Sequence, residues 1–211
     1  MRVSAMDFLT CRLTECYGRI AFGHHQIVTP RNYLPQEVSD VSEKQKEATS
    51  AIIEQLANSG IRLVASLPDD WIADLIHTVE KDDRFKHVPV NREESAIGLC
   101  SGAYFGGIPA MALMGASGLM TCVYALTKIN YTYHIPMFIF TTLRGVFGDP
   151  RPHHISNGLY LTRLMDSISL PYLLVEEKKT IARIPEAFKH CQVMNRPVVV
   201  AFTEAVLRGE S

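Results

Sequence analysis

The sequence predicts an α/β chain built on an open, mostly parallel six-stranded sheet with helices on both faces. Three observations predict it. From residue 42 onward, short apolar runs alternate with helical patterns, and connections of that length force crossovers between parallel strands. Acidic pairs and one long loop fall where strands hand over to helices, the usual place for ligand sites in such sheets. Residues 95–127 hold no charged side chain, so two successive helices lack the polar face of an outward helix and something must cover them.

The elements follow in order. Residues 1–41 read as an N-terminal extension, punctuated by Gly18-Arg19, Pro30 and Pro35 and without a long period. His24-His25 within it lack a third metal ligand at useful spacing. The domain proper is 42–211. Residues 42–59 are helical, with Ser42 as N-cap, Gln45 three residues on and Gly60 as the stop. A buried strand, 61–67, ends at Pro68-Asp69-Asp70, and helix 71–79 carries Ile72, Leu75, Ile76 and Val79 on one face. Strand 88–90 ends at Asn91-Arg92-Glu93-Glu94, followed by a glycine-laced helix, 95–107. Strand 109–114 stops at Gly115-Ala116-Ser117-Gly118, helix 119–131 follows, and strand 136–142 leads into a loop from 144 to 158. Helix 159–168, strand 171–175, helix 178–194 and strand 197–203 complete the alternation.

Composition excludes several classes. The 21 basic and 22 acidic residues give no electrostatic reason to bind nucleic acid or an anionic membrane. The uncharged stretch is long enough to span a bilayer, but Gly106-Gly107-Ile108-Pro109 and Gly115-Ala116-Ser117-Gly118 cut it into pieces too short to cross. Cys100 and Cys122 sit in apolar runs and read as core thiols, which with an N-terminus lacking a signal-peptide centre points to the cytoplasm.

Three strand ends carry reactive side chains, and in a parallel sheet they share the carboxyl edge: Asp69-Asp70, Glu93-Glu94, and the loop with Arg144, Arg151, His153 and His154. Each has a plain structural reading, since acids cap helices and histidines in a proline-rich loop face water. Their coincidence on one edge favours a site. HExxH spacing, a P-loop lysine and a GxSxG elbow are all missing, and Gly102 to Gly107 sit at a helix end rather than between strand and helix. Glu94, Gly98, Gly102 and Gly106 repeat every four residues, a stripe without side chains. Each mid-helix glycine costs roughly 1 kcal/mol relative to alanine, so the stripe predicts close approach of another backbone.

At these residues the chain resembles the pyrimidine-binding domain of thiamine-diphosphate-dependent 2-oxo acid decarboxylases, from about residue 42 to the end. The resemblance is nearest to the sulfopyruvate and phosphonopyruvate decarboxylase branch. It rests on Arg92-Glu93-Glu94, Gly98, Cys100, Gly102-Ala103-Tyr104, Ser117-Gly118-Leu119, Ile135-Pro136, Arg144-Gly145 and Pro152-His153-His154 to Gly158. Pro68-Asp69-Asp70-Trp71 takes the place of a Pro-Gly-Asp-aromatic motif, with Asp69 where the family has glycine.

The resemblance implies that one glutamate hydrogen-bonds the cofactor's aminopyrimidine ring. Tyr104, ten residues after Glu94, puts that role on Glu94, with Glu93 as the fallback. Pro68, Ser117 and Gly118 would line the cofactor, and Asp70, His153 and His154 would handle protons or bind substrate. Arg144 or Arg151 would pair with a sulfonate or phosphonate. The family's Gly-Asp-Gly motif for diphosphate and Mg²⁺ is absent, and Gly148-Asp149-Pro150 does not replace it. The expectation is therefore an α subunit, active as α2β2 or a higher heteromer with a β subunit that holds the diphosphate and metal. Its substrate would be a small anionic 2-oxo acid. A carboligase or lyase on the same cofactor, and a non-catalytic subunit of the same fold, are the alternatives.

Overall fold

The computed structural model describes residues 42–210, so the extension, His24-His25 and Ser211 lie outside the described residues. Six strands form one sheet in the order β2-β1-β3-β4-β6-β5: β1 (Leu63–Ser66), β2 (Lys86–Pro89), β3 (Ala110–Leu113), β4 (Met137–Thr142), β5 (Tyr172–Val175) and β6 (Pro197–Phe202). Every pairing is parallel, so all six strands open toward the same edge. From β1 the chain winds outward to β2, then returns past β1 to build β3 on its other side. That reversal opens a crevice at the carboxyl ends of β1 and β3. Register brings Ser66 level with both Pro89 and Leu113, so the loops after β1, β2 and β3 leave the sheet side by side.

Alternation along the strands divides the core in two. Val64, Met111, Leu113, Phe138, Phe140, Val198, Val200 and Phe202 face one layer of helices, α1 (Glu43–Asn58), α2 (Ala73–Lys81), α7 (Ile184–Met194) and α8 (Glu204–Leu207). Ala65, Ala112, Ile139, Val199 and Ala201 face the other, α3 (Glu93–Phe105), α4 (Ala116–Thr121) and α6 (Ile155–Ser167). The second face is built of smaller residues, and Ala96, Cys100 and Ala116 meet it, so α3 and α4 pack close to the sheet. Cys100 and Cys122 are buried there, and burial pushes both thiols up to about 12.

Several boundaries differ from the sequence reading. Ser42 does cap α1, its hydroxyl accepting the Gln45 N–H at 3.2 Å. Helix 119–131 is instead α4, a short turn α5 (Val123–Ala125) and a π-helical turn, Leu126–Tyr131. Thr127 Oγ1 donates back to the Val123 carbonyl, and buried Asn130 donates to Ser101 Oγ and to the Ile135 carbonyl, which distorts the ladder. The loop from 144 is shorter than expected. A 3₁₀ turn, Pro152–His154, runs straight into α6 at Ile155. Residues 178–194 divide at Pro185 into a 3₁₀ segment, Lys178–Arg183, and α7. Among the described residues no helix is long and apolar enough to cross a membrane.

A candidate active site at the switch point

Glycines shape the crevice. A Cβ on Gly115 would overlap the Asp69 carboxylate, and a Cβ on Gly118 would overlap the Glu93 carboxylate. The loop after β3 therefore keeps its backbone bare so that acids from the loops after β1 and β2 can lie against it. Glu93 and Glu94 open α3, both partly buried, with no side-chain cap from Arg92. Their charges reach the Cys122 thiol beneath, that of Glu94 more strongly. Ser117 is exposed, its hydroxyl donating to Asn157 Oδ1 at 3.3 Å, and Pro68 lies exposed just after β1.

The second cluster is ionic and centres on Arg144 at the end of β4. Its side chain is only 11% exposed and stacks over Trp71, 4.6 Å from the ring centre. Nε donates to Thr142 Oγ1 at 3.2 Å and Nη1 to His154 Nε2 at 2.8 Å. Nη2 donates to Asp69 Oδ1 at 2.5 Å and also to Asp70 Oδ1. Thr142 Oγ1 accepts the Ala116 N–H as well, at 3.0 Å, which ties β4 to the start of α4. The two aspartates share one cation but not one environment. Burial raises Asp69, and the nearby guanidinium does not offset it. For Asp70, 68% exposed, burial also works upward, but the Arg144 hydrogen bond and charge outweigh it and leave the carboxyl below its usual value. Neighbouring acids driven apart in this way suit one to hold a proton and the other to stay anionic.

His153 and His154 part ways. His153 is exposed, and His154 is buried at 2%, its ring edge-on to Trp71 with centroids 5.4 Å apart. Both nitrogens of His154 are engaged, since Nδ1 meets Asp149 Oδ2 at 2.7 Å. Arg151 bridges the cluster to α8: its guanidinium lies 5.4 Å from the Trp71 ring centre, and its fork closes on Glu204 at 2.7 and 2.8 Å, which lowers Glu204. It borders a cavity of about 440 Å³ with Trp71, Phe147, Glu204 and Arg208.

Among the sequence candidates, Asp70, Arg144, His153 and His154 thus come together, joined by Asp69. Glu93 lies against Gly118 in the neighbouring loop, Glu94 follows it in the first turn of α3, and Arg151 is tied to α8. Both arginines expected to bind substrate already hold carboxylates of this chain. The sequence reading missed Asp149, Thr142, Trp71 and Glu204 as members of the site. Gly148-Asp149-Pro150 was visible as a turn, but nothing in a linear sequence shows that its carboxylate folds back onto His154.

Residues 46–155 match the family described as thiamine pyrophosphate enzyme, N-terminal TPP binding domain. A sulfopyruvate decarboxylase subunit alpha from Methanococcus maripaludis is 31% identical over 125 residues, 59% of this chain and 75% of that protein. The corresponding subunit of Methanocaldococcus jannaschii is 28% identical over 153 residues, 72% of this chain and 90% of that protein. Phosphonopyruvate decarboxylase of Streptomyces viridochromogenes is 28% identical over 142 residues, covering 67% of this chain and 35% of that protein. In structure, a 2-oxoglutarate:ferredoxin oxidoreductase from Magnetococcus marinus aligns with a TM-score of 0.55 at 13% identity, over 76% of this chain and 29% of that one, which supports the fold. The all-parallel sheet, the acids gathered at its switch point and these matches lead to one assignment: the chain belongs to the thiamine pyrophosphate enzymes, as an N-terminal, pyrimidine-binding domain homologous to sulfopyruvate decarboxylase α and phosphonopyruvate decarboxylase.

Proposed function

We propose that this chain is the α subunit of a decarboxylase that converts a small anionic 2-oxo acid, sulfopyruvate- or phosphonopyruvate-like, to an aldehyde and CO₂. It would act with a β subunit carrying the diphosphate-binding domain and Mg²⁺. The observation that supports this reading best is that one carboxylate from each acidic pair, Asp69 and Glu93, lies against the same glycine-bearing loop at the switch point. The residues fit a flat, nitrogen-rich ring. Partly buried acids can face its nitrogens: Asp69 and Glu93 are seated against the bare backbone at Gly115 and Gly118, with exposed Pro68 and Ser117 next to them in the chain. When bound, thiamine diphosphate supplies the carbon nucleophile and the electron sink for loss of CO₂.

The chain's own residues would bind, orient and move protons. Glu94 would hold a proton at a ring nitrogen of the aminopyrimidine, as its spacing to Tyr104 implies. A second reading gives that role to Glu93, and a specific contact favours it: the Glu93 carboxylate fills the space that a Gly118 side chain would occupy. Asp70, exposed and kept anionic by Arg144, and His153, exposed with its ring 4.3 Å from that of His154, are the groups that would take or give a proton. His154, with both nitrogens committed, holds Arg144 instead. The remaining N–H of Arg144, and Arg151 on release from Glu204, would meet the anionic end of the substrate.

Two substitutions test the reading. Glu94→Gln and Glu93→Gln each keep the shape and remove the titratable proton. In the assembled enzyme the correct one slows hydrogen–deuterium exchange at the thiazolium carbon by orders of magnitude, and the other changes it little. If neither affects exchange, the family's proton path does not run through this pair. Product analysis with pyruvate, sulfopyruvate and phosphonopyruvate separates decarboxylation from carboligation.

A further inference from the structure

Asp149 sits in the turn before the histidines, with its side chain 2% exposed. Its Oδ2 accepts the Gly145 N–H at 2.9 Å and faces His154 Nδ1 at 2.7 Å. Its Oδ1 accepts the Arg151 N–H at 3.2 Å and takes a longer bond from Arg151 Nη1 at 3.4 Å. A carboxylate so surrounded by donors is an acceptor only, so His154 Nδ1 must carry a hydrogen. On the far side of the ring, a guanidinium has no lone pair to offer, so Nε2 must accept from Arg144 Nη1. The two contacts agree on one state of the imidazole, neutral and protonated at Nδ1. The other tautomer would set a lone pair against the carboxylate and an N–H against the guanidinium. Burial would raise Asp149, but the hydrogen bonds from Gly145, His154 and Arg151 outweigh it and hold it at about 2.

We propose that Asp149 is a positioning residue for the Arg144 cation. It locks His154 in the Nδ1–H tautomer, whose Nε2 then anchors Arg144, and Arg144 in turn aims the Asp69 and Asp70 carboxylates at the crevice. The chain of contacts runs from the turn at residue 149 to the loop after β1. The importance of Asp70 for turnover rests on the function proposed above. The tautomer lock does not.

The test uses the full chain labelled with ¹⁵N-histidine, with and without its partner subunit. Two-bond proton–nitrogen correlation reads the state of each imidazole nitrogen directly. In the wild type, His154 shows a protonated Nδ1 and an unprotonated Nε2. Asp149→Asn places an amide N–H₂ where one set of donors sits, so the single-tautomer pattern is lost. In the active complex kcat falls roughly ten- to a hundredfold, the worth of a charge-assisted hydrogen bond, with a smaller change in KM. A His154 pattern unchanged in Asp149→Asn overturns the lock. A lost pattern with unchanged kcat overturns the positioning role. Should Asp149→Asn fail to fold, His154→Gln against His154→Leu decides the same point. The amide donates and accepts as the imidazole does, so equal losses of kcat in the two variants count against the proposal. A wild-type complex with no decarboxylase activity but the expected tautomer would reject the proposed function and leave the lock standing.

Discussion

Asp149, through His154, and Asp69, directly, bear on the same arginine and respond to pH in opposite senses. Asp149 is held at about 2, below its ordinary 3.8, so its contribution to stability is complete above the ordinary value and disappears as pH falls through the lower one. The gap corresponds to about 2 kcal/mol. Asp69 is raised by burial, so it favours the folded state while protonated and that gain is lost as pH rises through its raised value. We therefore expect the stability advantage of wild type over Asp149→Asn, measured by urea unfolding, to shrink by about 2 kcal/mol between roughly pH 5 and pH 2. A constant difference across that range would mean that Asp149 stabilises through shape alone. The sequence displayed the charged residues of this network but not their pairing. Arg144 meets Asp69 and Asp70 across some seventy positions of sequence, a relation set by sheet order and not by local pattern.

The loop after β4 shows how an element is held by backbone. Gly145 has φ +69°, and a Cβ there would strike the His154 carbonyl and the Gly158 nitrogen. Gly158, in turn, lies against the Gly145 carbonyl, so the two ends of the segment touch through bare backbone and the polar residues between them are fixed. Gly145→Ala is expected to cost roughly 2–4 kcal/mol, from left-handed strain and an overlap that no side-chain rotation relieves. Gly148→Ala, at φ +94° with open space around it, should cost only the strain, roughly 1–2 kcal/mol. Thermal unfolding of both variants checks this, and equal losses would remove the close-approach explanation. The same contact explains a misplaced boundary. Gly158 reads as a break in the sequence, yet it lies inside α6, where glycine serves packing. The strands, by contrast, were legible. Period, length and flanking turn residues found all six within a few residues, most clearly the inner strands β1, β3, β4 and β6, which are buried and apolar on both faces. The π-helical turn at 126–131 was not legible, since the bond from Asn130 to Ser101 that accompanies it joins helices far apart in sequence.

At the scale of the molecule, the helical layer of α3, α4–α5 and α6 stands out. Its inner side packs Ala96, Ile97, Cys100, Leu119 and Leu161 against the sheet. Its outer side carries no compensating charge on α3 beyond Glu94, and Phe105, Tyr124, Ile155, Leu159 and Tyr160 are exposed there. A side chain on Gly98 or Gly102 would meet nothing within 4 Å, so the stripe expected from sequence is open within this chain. Glycines that relieve no internal crowding still carry the helix cost of roughly 1 kcal/mol each. An external backbone seated on the stripe would repay it, and the β subunit of the proposed heteromer is the natural candidate. Exposed apolar area of this kind drives association when no partner is present. Produced alone, the chain is therefore expected to aggregate or to self-associate, without decarboxylase activity. Co-expression with a β subunit should give a defined heteromer, in which hydrogen exchange slows along α3 from Glu94 to Gly106. Gly102→Leu should weaken that assembly while leaving the fold of the isolated chain intact, because the added side chain has free space until a partner arrives. Sizing chromatography and exchange mass spectrometry read both effects. A monodisperse monomer with full activity and no partner would refute the incomplete-site picture, and a heteromer indifferent to Gly102→Leu would move the interface to another face.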